Sequence, residues 1–215
     1  MATSDVDVCN AALGKLGQDI VIAALSEQTK HARAFNRVYE RVRDYVLADF
    51  PWPFAIKADA LSLDAQAVLG WTYRYSYPSD CLDALAVCTE DGVRMARAAV
   101  VGGCNDRSAG MDARYDFEVQ HGDQGTCIVT DLENAYLIYT SIVEDVGRYS
   151  PHFIEALSCR LAIEVAPVIA AEVGLRLGPQ LEQKYLAAKS RAAVHALNES
   201  QDMTQPLTPS LAARL

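Results

Sequence analysis

Metal-ligand spacings, paired-cysteine motifs and glycine-rich phosphate loops are all missing from this chain, and each absence closes off a class of chemistry. Its four histidines, His31, His121, His152 and His195, never stand in pairs at the spacing that two ligands on one helix or hairpin need. No CxxC occurs among the six cysteines, Cys9, Cys81, Cys88, Cys104, Cys127 and Cys159. Scattered in this way, they read as small buried hydrophobes in a reducing compartment. None has an evident histidine base, so no cysteine nucleophile is expected. Gly14-Lys15 lacks the earlier glycine and the following Ser or Thr of a Walker loop, and Gly102-Gly103 reads as a turn. The chain is therefore expected to be no enzyme, with no catalytic residue, no cofactor and no metal. One competing pattern remains. Asp116 and Glu118 share a face of a predicted strand, and paired carboxylates hold Mg²⁺ in nucleases. A lysine to complete that pattern is missing, so a solvated strand face is the preferred reading. A metal-dependent nuclease or hydrolase using Asp116 and Glu118 is the alternative from a different class.

A membrane-spanning run is missing too. The most apolar stretch, residues 161–173, contains Glu164, Pro167 and Glu172, and is shorter than the ~20 residues a spanning helix needs. The opening residues 1–7 carry two Asp and no Lys or Arg, and no apolar run follows, so no signal peptide is expected. These features predict a soluble protein made in a cytoplasm, without membrane contact. Positive charge is also in deficit: 19 Lys and Arg against 28 Asp and Glu give a net charge of −9. The deficit is local. Residues 80–145 hold 13 acids and 4 bases, while the remainder balances at 15 and 15. A chain of this sign does not wrap DNA phosphates, since that affinity comes from Lys and Arg. It could line a channel through which DNA slides.

What is present is amphipathic helix on either side of strand patterns. Ser4 with Asp7 fits a capping box opening a helix to Leu16, with Val8, Ala11, Ala12 and Leu16 as its stripe and Gly17 as its stop. After the apolar connector Ile20–Leu25, Ser26 is expected to cap a second helix reaching about Phe50. Its buried face is Ala34, Phe35, Val38, Tyr39, Val42, Tyr45 and Val46. Pro51 and Pro53 end it around Trp52, because neither can donate the next helical hydrogen bond.

From Gly70 the period changes to two. Trp71, Tyr73, Tyr75 and Tyr77 alternate with polar residues, and further strands are expected over 82–87, 93–101, 115–119, 126–131 and 135–142. Ser150-Pro151 restarts helix, Pro167 is expected to kink or break it near 163–166, and Gly178-Pro179 to open a last helix to about Gln201. The fold class expected is α+β: an α-helical bundle over 1–69 and 144–202, an inserted β-rich module, small-barrel or sandwich-like, over 70–143, and a flexible C-terminal tail over 203–215.

Three surfaces are candidates for interaction. Lys30, Arg33, Arg37 and Arg41 form a basic stripe, read as a solvated or intersubunit face because Glu27, Glu40 and Asp44 lie close by. Tyr185, Ala188 and Ala192 belong to a small-residue seam that allows close helix packing. Leu207, Leu211 and Leu215 punctuate the tail, which either frays or orders against a partner. The aromatic ladder from Trp71 could stack bases, but the preferred reading is the β module's own core.

Three blocks then resemble a known family. The first is Cys9-Asn-Ala-Ala-Leu-Gly-Lys-Leu-Gly17, running through the basic helix to Arg43-Asp-Tyr-Val-Leu-Ala-Asp-Phe-Pro-Trp-Pro-Phe-Ala55. The second is Gly70-Trp-Thr-Tyr-Arg-Tyr-Ser-Tyr-Pro-Ser-Asp-Cys-Leu82. The third is Tyr149-Ser-Pro-His-Phe-Ile-Glu-Ala-Leu-Ser-Cys-Arg-Leu-Ala162, continuing to Ala166-Pro167. Their succession resembles the tail tubular protein A family, the head-to-tail adaptor (connector) of short-tailed phages and prophages. The resemblance implies a virion structural protein of the tail neck, made in a host bacterium. It implies a homo-oligomeric ring, usually dodecameric, beneath the phage portal protein, with the tail nozzle or tail fibres on its other face. DNA would pass through without specific binding during genome ejection. It also implies a helical bundle with an inserted β domain and no enzyme activity. The nearest alternative is another tail-completion or tail-fibre adaptor protein.

Overall fold

The computed structural model describes residues 4–64, 70–102, 113–122 and 125–199. They form a mixed α+β structure of five helices and two antiparallel sheets. Helix α1 (Asp5–Lys15) opens as the capping box requires: Ser4 accepts from the Asp7 amide, and the Asp7 carboxylate accepts from the Ser4 amide at 2.9 Å. Gly17 follows in the left-handed region, φ 68°, where a side chain would be strained. The buried face is Val8, Cys9, Ala12 and Leu13, and Ala11 points outward instead.

Helix α2 (Lys30–Ala48) starts later than expected. Thr29, not Ser26, is its cap, accepting from the Ala32 amide at 3.2 Å. The reason lies just upstream. The Glu27 carboxylate takes the Ala23 and Ala24 amides at 2.7 and 3.0 Å, which folds residues 23–27 into a turn. The expected buried face of α2 is observed except at Val38, which is half-buried, and Tyr45, which is half exposed with the Arg160 guanidinium 4.8 Å above its ring.

Beyond α2 comes an aromatic corner. Trp52 is fully buried, donates its indole N–H to the Val46 carbonyl at 2.7 Å, and stands edge-on to Phe50 and Phe153 with centroids 4.9 and 5.0 Å away. Phe54 and Tyr149 pack on the same Phe153 ring. The corner joins the end of α2 to the start of α4 (Pro151–Ile169), capped by Ser150 with Pro151 in the first turn, as expected.

Pro167 does not break α4 near 163–166. The helix continues to Ile169, and the chain turns at Ala170 (φ −150°, ψ 64°). Helix α5 (Ala171–Glu199) therefore starts before Gly178-Pro179 and carries Pro179 inside it. Both prolines are exposed, so their rings stay out of the core, and packing of α5 along α4 outweighs the local penalty. Helices α1, α2, α4 and α5 share one apolar core.

Strand structure begins before Gly70. β1 (Ile56–Ala60) and β2 (Leu63–Asp64) fall within residues 1–69, assigned to the helical bundle, after the prolines expected to end the second helix. They are followed by β3 (Tyr73–Ser76), β4 (Cys81–Cys88), β5 (Arg114–Tyr115), β6 (Phe117–Gly122), β7 (Gly125–Thr130) and β8 (Tyr136–Ser141). One sheet has the order β1-β8-β4-β5 and the other β2-β3-β7-β6. β1 pairs with β8 from Ile56 opposite Thr140 to Ala60 opposite Tyr136.

Period two shows clearly on β8. Leu137 and Tyr139 join Tyr75 and Ile128 of the other sheet in one core, while Ile138 joins Ile56, Ala86 and Ala96 in another. Ala96 lies on α3 (Val93–Val101), the segment expected as a strand. Its Val-Arg-Met-Ala-Arg-Ala-Ala composition favours helix, and it lays Ala96 on the β1-β8-β4-β5 sheet. The tyrosine ladder serves as core: Tyr75 is buried, with Tyr73 and Tyr77 packed beside it.

Candidate functional site

The basic stripe lies over a groove between α2 and α4. Positions 30, 33, 37 and 41 recur at three and four residues, which puts them on one side of α2, and all four side chains are exposed. The helices meet there with the N-terminal half of α2 against the C-terminal half of α4. The resulting hollow of about 480 Å³ is lined by Lys30, Arg33, Arg37, Val38, Glu164 and Val168, with Ala34 and Val165 in its floor. Its walls are thus basic on the α2 side and largely apolar on the α4 side. Val168 is 53% exposed.

Its charges are unevenly satisfied. Glu164 receives Arg41 at 3.0 Å and Arg160 at 3.3 Å, so the acid of the groove is already engaged. Arg33 donates to the Gln28 side chain at 2.8 Å. Lys30 and Arg37 have no ion-pair partner among the described residues. Helix α2 has no acid in its first turn, so its positive dipole end adds to Lys30 and Arg33 rather than being offset. The groove therefore combines apolar surface with positive potential. It suits an anionic or acidic-apolar ligand.

The other predicted interaction residues fare differently. Tyr185, Ala188 and Ala192 are turned into the chain's own core, at 2%, 1% and 5% exposure, which corrects their reading as an interaction surface. Their seam packs α5 on the neighbouring helices, and the Tyr185 hydroxyl donates to Asp49 at the end of α2. Leu207, Leu211 and Leu215 lie outside the described residues.

Asp116 and Glu118 do not share a strand. Asp116 falls between β5 and β6, and Glu118 accepts from the Trp71 indole at 3.3 Å. Among the described residues no group of three His, Cys, Asp or Glu could hold a metal ion. Cys9, Cys88, Cys127 and Cys159 are buried and unpaired, Cys81 is half-buried, and Cys104 lies outside the described residues. Burial, then the charge of Asp5, pushes the Cys9 thiol up to about 12, and burial pushes Cys88 up to about 11, so both stay protonated at neutral pH.

Two features had no sequence signal. His152 and His195 meet across α4 and α5 with ring centroids 5.7 Å apart, beside a hollow of about 310 Å³ that also touches Trp52, Phe54 and Pro151. A third hollow of about 510 Å³ on the β side is lined by Glu90, Asp91 and Glu133 among others. No helix among the described residues is long and apolar enough to cross a membrane. Comparison with known proteins finds no family model that matches the chain and no curated protein similar to it.

Proposed function

We propose that this chain is a virion structural protein, a head-to-tail adaptor that forms a ring beneath the portal, joins capsid to tail and lets DNA pass. In this reading α1, α2, α4 and α5 are the bundle that builds the ring. The strands between α2 and α4 are an inserted sandwich-like module that meets the tail or borders the channel. The observation that carries it is the ordered succession of the three resembling sequence blocks. Two of them supply the aromatic corner of Trp52, Phe54, Tyr149 and Phe153, around which the helices pack. The acid surplus of residues 80–145 suits a conduit that must not grip DNA. An open groove with unpaired cations suits a chain whose partners come later in assembly.

The test is co-expression with a portal protein of a short-tailed phage, followed by light scattering and negative-stain microscopy. A ring seated on the portal is expected. Removal of residues 203–215, which hold Leu207, Leu211 and Leu215, is expected to abolish docking and leave the helical circular-dichroism signal in place. A strict monomer both alone and with portal would overturn the reading.

A further inference from the structure

Bare apolar side chains and unpaired cations occur side by side in the groove of α2 and α4. Val168 is exposed next to Val38 and Val165, and Lys30 and Arg37 stand over them. A ligand that fits must be apolar at its tip and anionic at its flank.

One segment of this same chain has that make-up. Between α1 and α2, Asp19-Ile20-Val21 projects into solvent, with Val21 75% and Ile20 46% exposed. Asp19 is exposed and has no ion-pair partner among the described residues. The projection is held firmly at its base. Asn10 on α1 donates to the Ile22 carbonyl at 3.0 Å and accepts from the Ile22 amide at 2.9 Å. The Ile22 side chain is itself buried in the helical core. A knob fixed in this way loses little conformational freedom on binding.

The groove and the end of α1 that leads into the knob lie on opposite sides of α4. Helix α1 packs on α4 at the face of Glu155, which takes Lys15 at 2.7 Å. The groove lies at the face of Glu164. These two positions are nine residues apart, about two and a half turns, so they point to opposite sides of α4. Within the chain the knob is exposed and does not line the groove.

We propose that the Asp19-Ile20-Val21 knob of one copy seats in the α2/α4 groove of a second copy. Ile20 and Val21 lie on Val38 and Val168, and Asp19 faces Arg37 and Lys30. The contact is heterologous: every copy offers both a knob and a groove, so the contact repeats and closes wherever the rotation allows. It rests on the adaptor reading for ring closure, while the contact itself follows from the two surfaces.

Site-directed crosslinking tests it. Full-length chains carrying Val21→Cys and Val168→Cys are mixed and treated with a short bismaleimide, with and without portal, and the unsubstituted chain sets the background. Crosslinked dimer in the mixture is expected well above either variant alone. Arg37→Asp in the groove chain should lower the yield about fivefold, and Asp19→Arg in the knob chain should restore it, because opposite charges at a rim then face each other again. Both charged positions are exposed, so neither change disturbs the core. No crosslink above background under either condition, or a yield indifferent to the charge reversals, overturns the proposal. A ring on the portal without this crosslink overturns the contact and leaves the adaptor reading standing. A crosslinked chain that never binds portal upholds the contact and overturns the adaptor reading.

Discussion

Asp80 shows how single side chains set the conditions under which this fold holds. One of its oxygens accepts from Lys57 at 2.5 Å, and the other lies 3.1 Å from the Tyr139 hydroxyl. That hydroxyl also reaches Asp59 at 2.8 Å, and with one proton to give it is shared between the two carboxylates. The bond from Lys57, joined by that from Tyr139, holds the Asp80 carboxyl below its ordinary value of 3.8. Burial, followed by the two carboxylates, raises the Tyr139 hydroxyl, which therefore stays a donor at any ordinary pH. A carboxyl depressed in the folded state stabilises above its unfolded value, and that contribution disappears as pH falls through the folded one. Asp80→Asn should therefore lower the urea midpoint at pH 7, and the gap from the unsubstituted chain should close below about pH 3.8. Urea titrations of both chains from pH 7 to 3 check this. The pair is half open to solvent, so the gap is expected to be small.

At the scale of elements, caps explain which boundaries could be read in advance. Ser4 and Ser150 each stand directly before an apolar stripe with nothing competing for the amides they cap, and both helices begin where the pattern says. Ser26 looks equivalent in sequence, but Glu27 captures the amides of 23 and 24, and the cap moves to Thr29. Thr29→Ala should cost about 1 kcal/mol of unfolding free energy, whereas Ser26→Ala should stay within about 0.5 kcal/mol. Paired urea titrations separate them, and a larger loss at Ser26 would restore the earlier start. Strands β3, β4, β7 and β8 were readable because aromatic and β-branched residues alternate or run together there. Helix α3 was not, since a short Ala-Val run has no period that separates strand from helix. Pro167 and Pro179 misled for the opposite reason: a local penalty of roughly 3 kcal/mol loses to packing along a long helix pair. The groove was half readable. Its basic wall follows helical spacing on α2, but Val165 and Val168 come from a helix more than 120 residues later, and no local pattern announces that they meet.

At the scale of the whole molecule, the helical core is assembled from both ends of the described chain. Val8, Leu13, Phe35, Val46 and Trp52 precede the strands, while Phe153, Leu157, Leu161 and Tyr185 follow them, and all share one cluster. Strand β1 lies on the first side and pairs with β8 on the second. A cut between β2 and β3, giving residues 1–66 and 67–215, therefore divides the helical core and removes an edge strand from each sheet, β1 from one and β2 from the other. Each large apolar side chain left in water forfeits about 1.5–3 kcal/mol. A domain of this kind has only about 5–15 kcal/mol in hand. Several such losses exceed that margin, so neither piece should fold alone, even though 67–215 keeps most of both sheets. Mixed in equal amounts, the pieces should recover a helical signal above the sum of the two and a cooperative urea transition, read by circular dichroism and size exclusion. If residues 67–215 unfold cooperatively on their own, the strands and α4–α5 form a unit independent of α1 and α2. The groove would then be an interface between two units, and Arg37 and Val168 would be free to move relative to each other. If only the mixture folds, groove and knob are fixed to one body, and a contact built from them can set a repeat angle from one copy to the next.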